Sequence, residues 1–167
     1  MAKALNTTDL TPLIGTMIET DLETLVSGAA SAEIAELVQR RGVLVIRGVQ
    51  MDDAQQLKFT DTLGPLLSDK SGEVYRVSYD PRESPNLYFY TPGNFFWHID
   101  RTDSDVPPFI TMLNAKRLPD EGGDTEFANT YAAYEALPDE DKALIERLQA
   151  QAREAPQAYR ARVAMLA

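Results

Sequence analysis

The 167-residue sequence predicts an α+β fold in which helices frame a set of short strands of the sandwich or jelly-roll kind. Three observations lead there. Residues 31–65 alternate a helical apolar stripe, a short aliphatic run and a second helical stripe. Between residues 74 and 128, five short β-rich runs are separated by Pro and Gly clusters. From Thr130 onward the helical pattern resumes.

The elements follow in order. Leu13 to Asp21 reads as an extended, edge-like segment, because Gly15 breaks any helix there. A helix is expected from Ser31, which can cap it, with Glu33 in the first turn and Ile34, Leu37 and Val38 on one face. Gly42 should end it, and VLVIR, Val43 to Arg47, then reads as a buried strand. A second helix is expected from Asp52, carrying Leu57 and Leu63 and stopping at Gly64-Pro65. The five β candidates are Val74 to Tyr79, Leu87 to Tyr90, Trp97 to Asp100, Ile110 to Lys116 and Thr125 to Ala128. Asn129 can cap a further helix whose Tyr131, Tyr134 and Leu137 share a face, read as core. The last helix should start at Pro138 and present Leu144, Ile145 and Leu148.

The end of the chain has a different character. Residues 142–167 hold five basic side chains against two acidic ones, a net +3 that leaves −13 for residues 1–141. Ala recurs at every third position from 152 to 167, a period that suits neither an amphipathic helix nor a strand, and Pro156 interrupts it. Two readings stay open: an Ala-rich helical tail, or a terminus whose native reading frame has been lost.

Composition bounds the function. Hydrophobic residues at 44% and charged residues at 25% describe an ordinary globular domain with a core of its own. The longest aliphatic run, Val43 to Ile46, is far too short to cross a bilayer, and the N-terminus does not read as a signal peptide. With no Cys there are no disulfides and no thiolate metal site, so a reducing, cytoplasmic compartment is permitted. A net charge of −10 repels phosphate backbones and anionic lipids, which argues against nucleic-acid and membrane partners.

Chemistry concentrates at the single histidine, His98, in GNFFWHID, with Asp100 two positions on. On a strand, side chains at i and i+2 share a face about 7 Å apart at their backbones, so both could reach one ion. An imidazole and a carboxylate are the ligand types expected of two arms of the 2-His-1-carboxylate triad of non-haem iron sites. A packed, hydrogen-bonded structural histidine beside Trp97 is the competing reading. In GGDTEF, Gly122 to Phe127, the Gly pair allows a tight turn and Thr125 can offer its hydroxyl to an anion. A plain hairpin explains the same residues.

The order and spacing of these motifs carry a resemblance. GNFFWHID followed by PPFITMLNAKRLPDEGGDTEFANTYAAYEALPDEDK is similar to the taurine / 2,4-dichlorophenoxyacetate dioxygenase (TauD/TfdA) family. Upstream, IGTMIETDL, RRGVLVIRGVQM and FTDTLGPL resemble that family's N-terminal framework, so the likeness runs from Leu13 to Leu148. It implies a dioxygenase domain over residues 1–148 and a separate Ala-rich tail over 149–167. The implied fold is a partial double-stranded β-helix, a distorted jelly roll framed by helices. The implied activity is that of a non-haem Fe(II)/2-oxoglutarate-dependent dioxygenase, which oxidises a small anionic substrate while 2-oxoglutarate becomes succinate and CO2. His98 and Asp100 match the first two iron ligands, Thr125 the threonine that contacts the 2-oxoglutarate carboxylate, and Asn94 a substrate-contacting asparagine of some members.

Two family features have no match. The second iron-binding histidine and the arginine that pairs with the distal carboxylate of 2-oxoglutarate both lie downstream of the GGDT segment in the family. The chain has no second His, and Arg153, Arg160 and Arg162 stand in no family-like context. The histidine that binds a sulfonate in taurine-cleaving members is also absent, which disfavours taurine. The sequence therefore leads us to expect a chain truncated on its C-terminal side, inactive or impaired by itself. Open sheet edges would then be covered by a homo-oligomer. Two alternatives are a non-enzymatic half-barrel used for binding or assembly, and an enzyme completed by a partner chain.

Overall fold

A computed structural model describes residues 5–66, 74–78, 80, 82, 96–101 and 106–145. They fall into two compact units, one comprising Met1–Val74 with Met112–Ala133, the other Tyr75–Thr111 with Tyr134–Ala167.

The first unit holds a three-stranded sheet of order β1-β2-β3, formed by β1 (Asn6–Asp9), β2 (Thr16–Glu19) and β3 (Leu44–Ile46). β1 and β2 are antiparallel, with Asn6 opposite Glu19 and Asp9 opposite Thr16; β2 and β3 are parallel, with Thr16 opposite Leu44. The parallel pair needs a crossover, which α1 (Leu22–Val26) and α2 (Ser31–Arg41) supply. β2 is thus the central strand, not the edge-like segment its sequence suggests, because the crossover returns β3 to its free side. Its period-2 pattern shows directly: Thr16 and Ile18 are buried while Glu19 is exposed. β3 is half-buried along its length rather than fully buried, since it is the outer strand of the sheet.

The helices begin and end for identifiable reasons. Asp21 caps α1 by accepting from Thr24 N at 2.8 Å. α2 starts at Ser31, but Ser31 is not its cap. Ala30 occupies that position, and the Ser31 hydroxyl instead donates to Thr62 Oγ1 at 2.7 Å, tying α2 to α3 (Asp53–Leu63). Gly42 closes α2 at φ 71°, its N–H bonding Val38 O. Asp52 and Gln55 form a reciprocal capping box at the start of α3. The core they enclose is Ile18, Leu25, Ala30, Ile34, Leu37, Met51 and Phe59. Phe59, not Leu57 or Leu63, is the deeply buried residue of α3.

The middle of the chain departs most from expectation. Leu87 to Tyr90 lies outside the described residues, as does Tyr79. Val74 to Ser78, Trp97 to Asp100, Ile110 to Lys116 and Thr125 to Ala128 join no sheet among the described residues. A strand needs a ladder partner as well as β-favouring side chains, and the described residues supply none there. Ile110 to Asn114 nevertheless keeps strand periodicity in its burial: Ile110, Met112 and Asn114 are half-buried, Thr111 and Leu113 exposed.

α4 (Thr130–Glu135) and α5 (Asp139–Ile145) bury no residue. Tyr131, expected in a core, is 82% exposed, because no apolar surface among the described residues covers that face. In the second unit Lys142 Nζ reaches back to the carbonyl of Glu135 at 2.9 Å and lies over the Tyr134 ring, 5.7 Å from its centroid. The tail, 149–167, lies outside the described residues. No helix among the described residues is long and apolar enough to cross a membrane.

Candidate functional site

Residues 96–101 of the second unit form no strand: the chain bends at Phe96, has no regular structure from Trp97 to Ile99 and turns at Asp100 and Arg101. The backbone reverses at Asp100 and Arg101, and Arg101 sits in the left-handed region at φ 54°, the only described non-glycine residue to do so. His98 and Asp100, two positions apart, come together here: Nε2 and Oδ1 stand 3.4 Å apart. Both side chains are about half exposed.

The other ring nitrogen decides what that pair can do. His98 Nδ1 lies 2.9 Å from the carbonyl oxygen of Phe96. A carbonyl can only accept, so Nδ1 carries a proton whenever this bond is made. In the neutral ring Nε2 then presents its lone pair, and it presents it toward the Asp100 carboxylate. Two electron-rich atoms facing each other at this distance can share a cation. Two donors each about 2.1 Å from one ion stand roughly 3 Å apart at a right angle, so the observed spacing fits two neighbouring coordination positions. Among the described residues no group of three His, Asp or Glu side chains is placed to hold a metal. The pair fits two arms of a metal site, and the chain has no second imidazole to make a third. Asn94 lies outside the described residues.

Thr125 belongs to the first unit. Gly122 and Gly123 take φ 71° and 73°, so the Gly pair does make a left-handed turn. A Cβ on Gly123 would lie 2.9 Å from Pro119 Cγ, which closes that position to other residues. Thr125 follows two residues on, exposed, and its hydroxyl makes no hydrogen bond within the described residues.

Five hydrogen bonds had no local signal in the sequence. The Phe96 carbonyl is a backbone group and any residue could supply it. Asn114 Nδ2 donates to Met51 O and to Gln56 Oε1, both at 3.1 Å, and Lys116 Nζ donates to the same Met51 carbonyl. Asn129 caps α4 as expected, its Oδ1 accepting from Ala132 N at 3.0 Å, but its Nδ2 also donates to Leu13 O at 2.7 Å, 116 residues away.

A fold framed by helices around a small mixed sheet, with an imidazole and a carboxylate converging on one point, matches a known class. The chain belongs to the taurine catabolism dioxygenase TauD, TfdA family, whose family model matches residues 6–163. Among curated relatives it is 30% identical over 160 residues to the alpha-ketoglutarate-dependent 2,4-dichlorophenoxyacetate dioxygenase of Cupriavidus pinatubonensis, covering 85% of this chain and 56% of that protein. It is 33% identical over 112 residues to an alkylsulfatase of Acinetobacter baylyi, covering 64% of this chain and 33% of the relative. A crystal structure of AAD-2 in complex with Mn(II) and N-oxalylglycine aligns with TM-score 0.62 and 25% identity, covering 86% of this chain and 50% of that one. The chain spans about half the length of the 2,4-dichlorophenoxyacetate dioxygenase and of AAD-2.

Proposed function

We propose that the chain carries part of an Fe(II)/2-oxoglutarate-dependent dioxygenase that oxidises a small, anionic organic molecule. The observation that carries this reading is the His98–Asp100 pair, 3.4 Å apart with the ring's other nitrogen fixed on the Phe96 carbonyl. His98 and Asp100 are its metal ligands, Thr125 binds a carboxylate of 2-oxoglutarate, and Asn94 contacts substrate. The likeness to the Mn(II)- and N-oxalylglycine-bound AAD-2 supports both metal and cosubstrate, since N-oxalylglycine keeps the two carboxylates and the oxo group of 2-oxoglutarate. The same likeness supports a partial double-stranded β-helix for the chain. The relatives' names support an organic acid or sulfate ester as substrate, and we place the chain in the cytoplasm.

When bound, Fe(II) and 2-oxoglutarate supply the oxidising chemistry, consuming O2 and releasing succinate and CO2 as the substrate is oxidised. The chain's own residues do the positioning. The Phe96 carbonyl holds the ring of His98 in the tautomer whose Nε2 is free to coordinate. The Asp100 carboxylate stands 3.4 Å from that nitrogen. The exposed hydroxyl of Thr125 is available to donate to an anion.

With one imidazole in the whole chain, these 167 residues complete no triad, and by themselves they should bind metal weakly and not turn over. A second reading, a non-catalytic binding or assembly module that self-associates through open sheet edges, draws on this same observation. Anaerobic titration with Mn(II), followed by its paramagnetic resonance, tests the site directly. Weak binding should be present in the native chain and fall about tenfold or more in His98→Ala and in Asp100→Ala. Equal binding by all three proteins would remove the iron-site reading. Oxygen uptake with Fe(II) and 2-oxoglutarate would overturn the expectation that the chain alone is inactive.

A further inference from the structure

Residues 117–128, which include the Gly turn and Thr125, make no hydrogen bond or ion pair among the described residues, and Gly122 to Ala128 are all exposed. Without hydrogen bonds of its own, such a segment depends largely on its flanks for its placement. It is fastened at its two flanks, each time by a side chain donating to a distant backbone carbonyl. At the front, Lys116 Nζ donates to Met51 O, next to Asn114, which bonds the same carbonyl. At the back, Asn129 Nδ2 donates to Leu13 O at 2.7 Å.

The back anchor lands on a rigid base. The loop from Thr11 to Gly15 is itself held by Arg41, whose guanidinium donates to the carbonyls of Thr11, Pro12 and Gly15. Asn129 also uses its other amide atom to cap α4, so one side chain sets the start of the helix and ties that start to the N-terminal loop. All these residues belong to the first unit.

We propose that Asn129 is a positioning residue: with Lys116 at the opposite flank, it places the segment that presents Thr125 to the 2-oxoglutarate carboxylate. This rests on the cosubstrate role given to Thr125 above. The capping role alone is structural, and Asn129→Ser separates the two. Serine keeps an oxygen for the Ala132 N–H but offers no amide donor that reaches Leu13 O. Thr125→Val removes the cosubstrate hydroxyl and leaves both anchors in place.

The full chain and these two variants are compared by three readouts. One is the rate of cleavage after Glu126 by a Glu-specific protease, followed by mass spectrometry. The others are the affinity for N-oxalylglycine with Mn(II) present, by calorimetry, and the affinity for Mn(II) alone. Asn129→Ser should accelerate cleavage about fivefold or more and weaken N-oxalylglycine by a similar factor, with Mn(II) affinity and far-UV helix signal unchanged. Thr125→Val should weaken N-oxalylglycine without changing cleavage. Native cleavage in Asn129→Ser would overturn the anchor. Faster cleavage with native N-oxalylglycine affinity, while Thr125→Val loses it, would overturn the positioning role and leave Thr125 standing. If the native chain does not bind N-oxalylglycine, the cosubstrate reading fails and the positioning role fails with it, while the cleavage rate still decides whether Asn129 is an anchor.

Discussion

Arg41 offers the sharpest test of how this fold is held. Its side chain is only 12% exposed and donates four hydrogen bonds: Nε to Thr16 Oγ1 at 3.0 Å, Nη1 to Pro12 O at 3.1 Å, and Nη2 to Thr11 O at 2.6 Å and Gly15 O at 3.1 Å. Asp9 Oδ1 lies 3.3 Å from Nε, but Asp9 is largely solvated, so that ion pair contributes little. A hydrogen bond from a charged donor is worth about 1.5–3 kcal/mol. In Arg41→Ala, water can reach the exposed carbonyls of Thr11 and Pro12, and Gly15 O keeps its bond from Leu10 N. The uncompensated loss is therefore concentrated at the hydroxyl of buried Thr16, and about 2–3 kcal/mol is expected in total. For a chain of this length that lowers the Tm by roughly 5–10 °C. Arg41→Lys should recover only part of it, because one ammonium cannot span acceptors on four residues. The measurement is urea denaturation followed by far-UV circular dichroism, since the single tryptophan, Trp97, belongs to the other unit. Amide exchange at Leu10 and Gly15 should quicken in the same variant. A stability within about 0.5 kcal/mol of native would show that the loop holds itself and that Arg41 only decorates it.

Two further outcomes follow from local geometry. Asp52→Ala removes one half of the capping box on α3 and should cost about 1 kcal/mol by the same denaturation measurement, while Asp52→Ser should cost much less. Gly123→Ala sets a Cβ against Pro119 Cγ at a φ of 73° and should destabilise the turn before Thr125, seen as faster Glu-specific cleavage in the 121–126 stretch with the α2–α3 core unaffected.

The helices of the N-terminal unit are legible in the sequence because their signals are local. Apolar spacing, Asp52 with Gln55, and Gly42 specify α2 and α3 within a residue or so of where they lie. Ser31 misleads as a cap because a hydroxyl at a helix start has two uses, and Thr62 on α3 competes for it. The short β candidates mislead for a different reason. Ile110 to Asn114 keeps the alternating burial its sequence encodes, yet pairing depends on a partner elsewhere in the chain, which composition cannot report. Tyr131 has helical spacing that suits a core, but burial requires a surface to meet. His98 and Asp100 stand out by residue type, and they meet in a stretch that joins no sheet among the described residues, where their spacing suggests a strand.

The linear sequence determined residue chemistry and short-range conformation: where helices start and stop, where a Gly turn must fall, and which side chains could share an ion. Tertiary structure decided what those side chains do. It made β2 a central strand, aimed Arg41 at a loop, and gave Asn129 a bond to a carbonyl 116 residues away. The physical reason is range. Caps and turns are set by groups within four residues of one another, whereas sheet order and side-chain anchors exist only once the chain has folded back on itself.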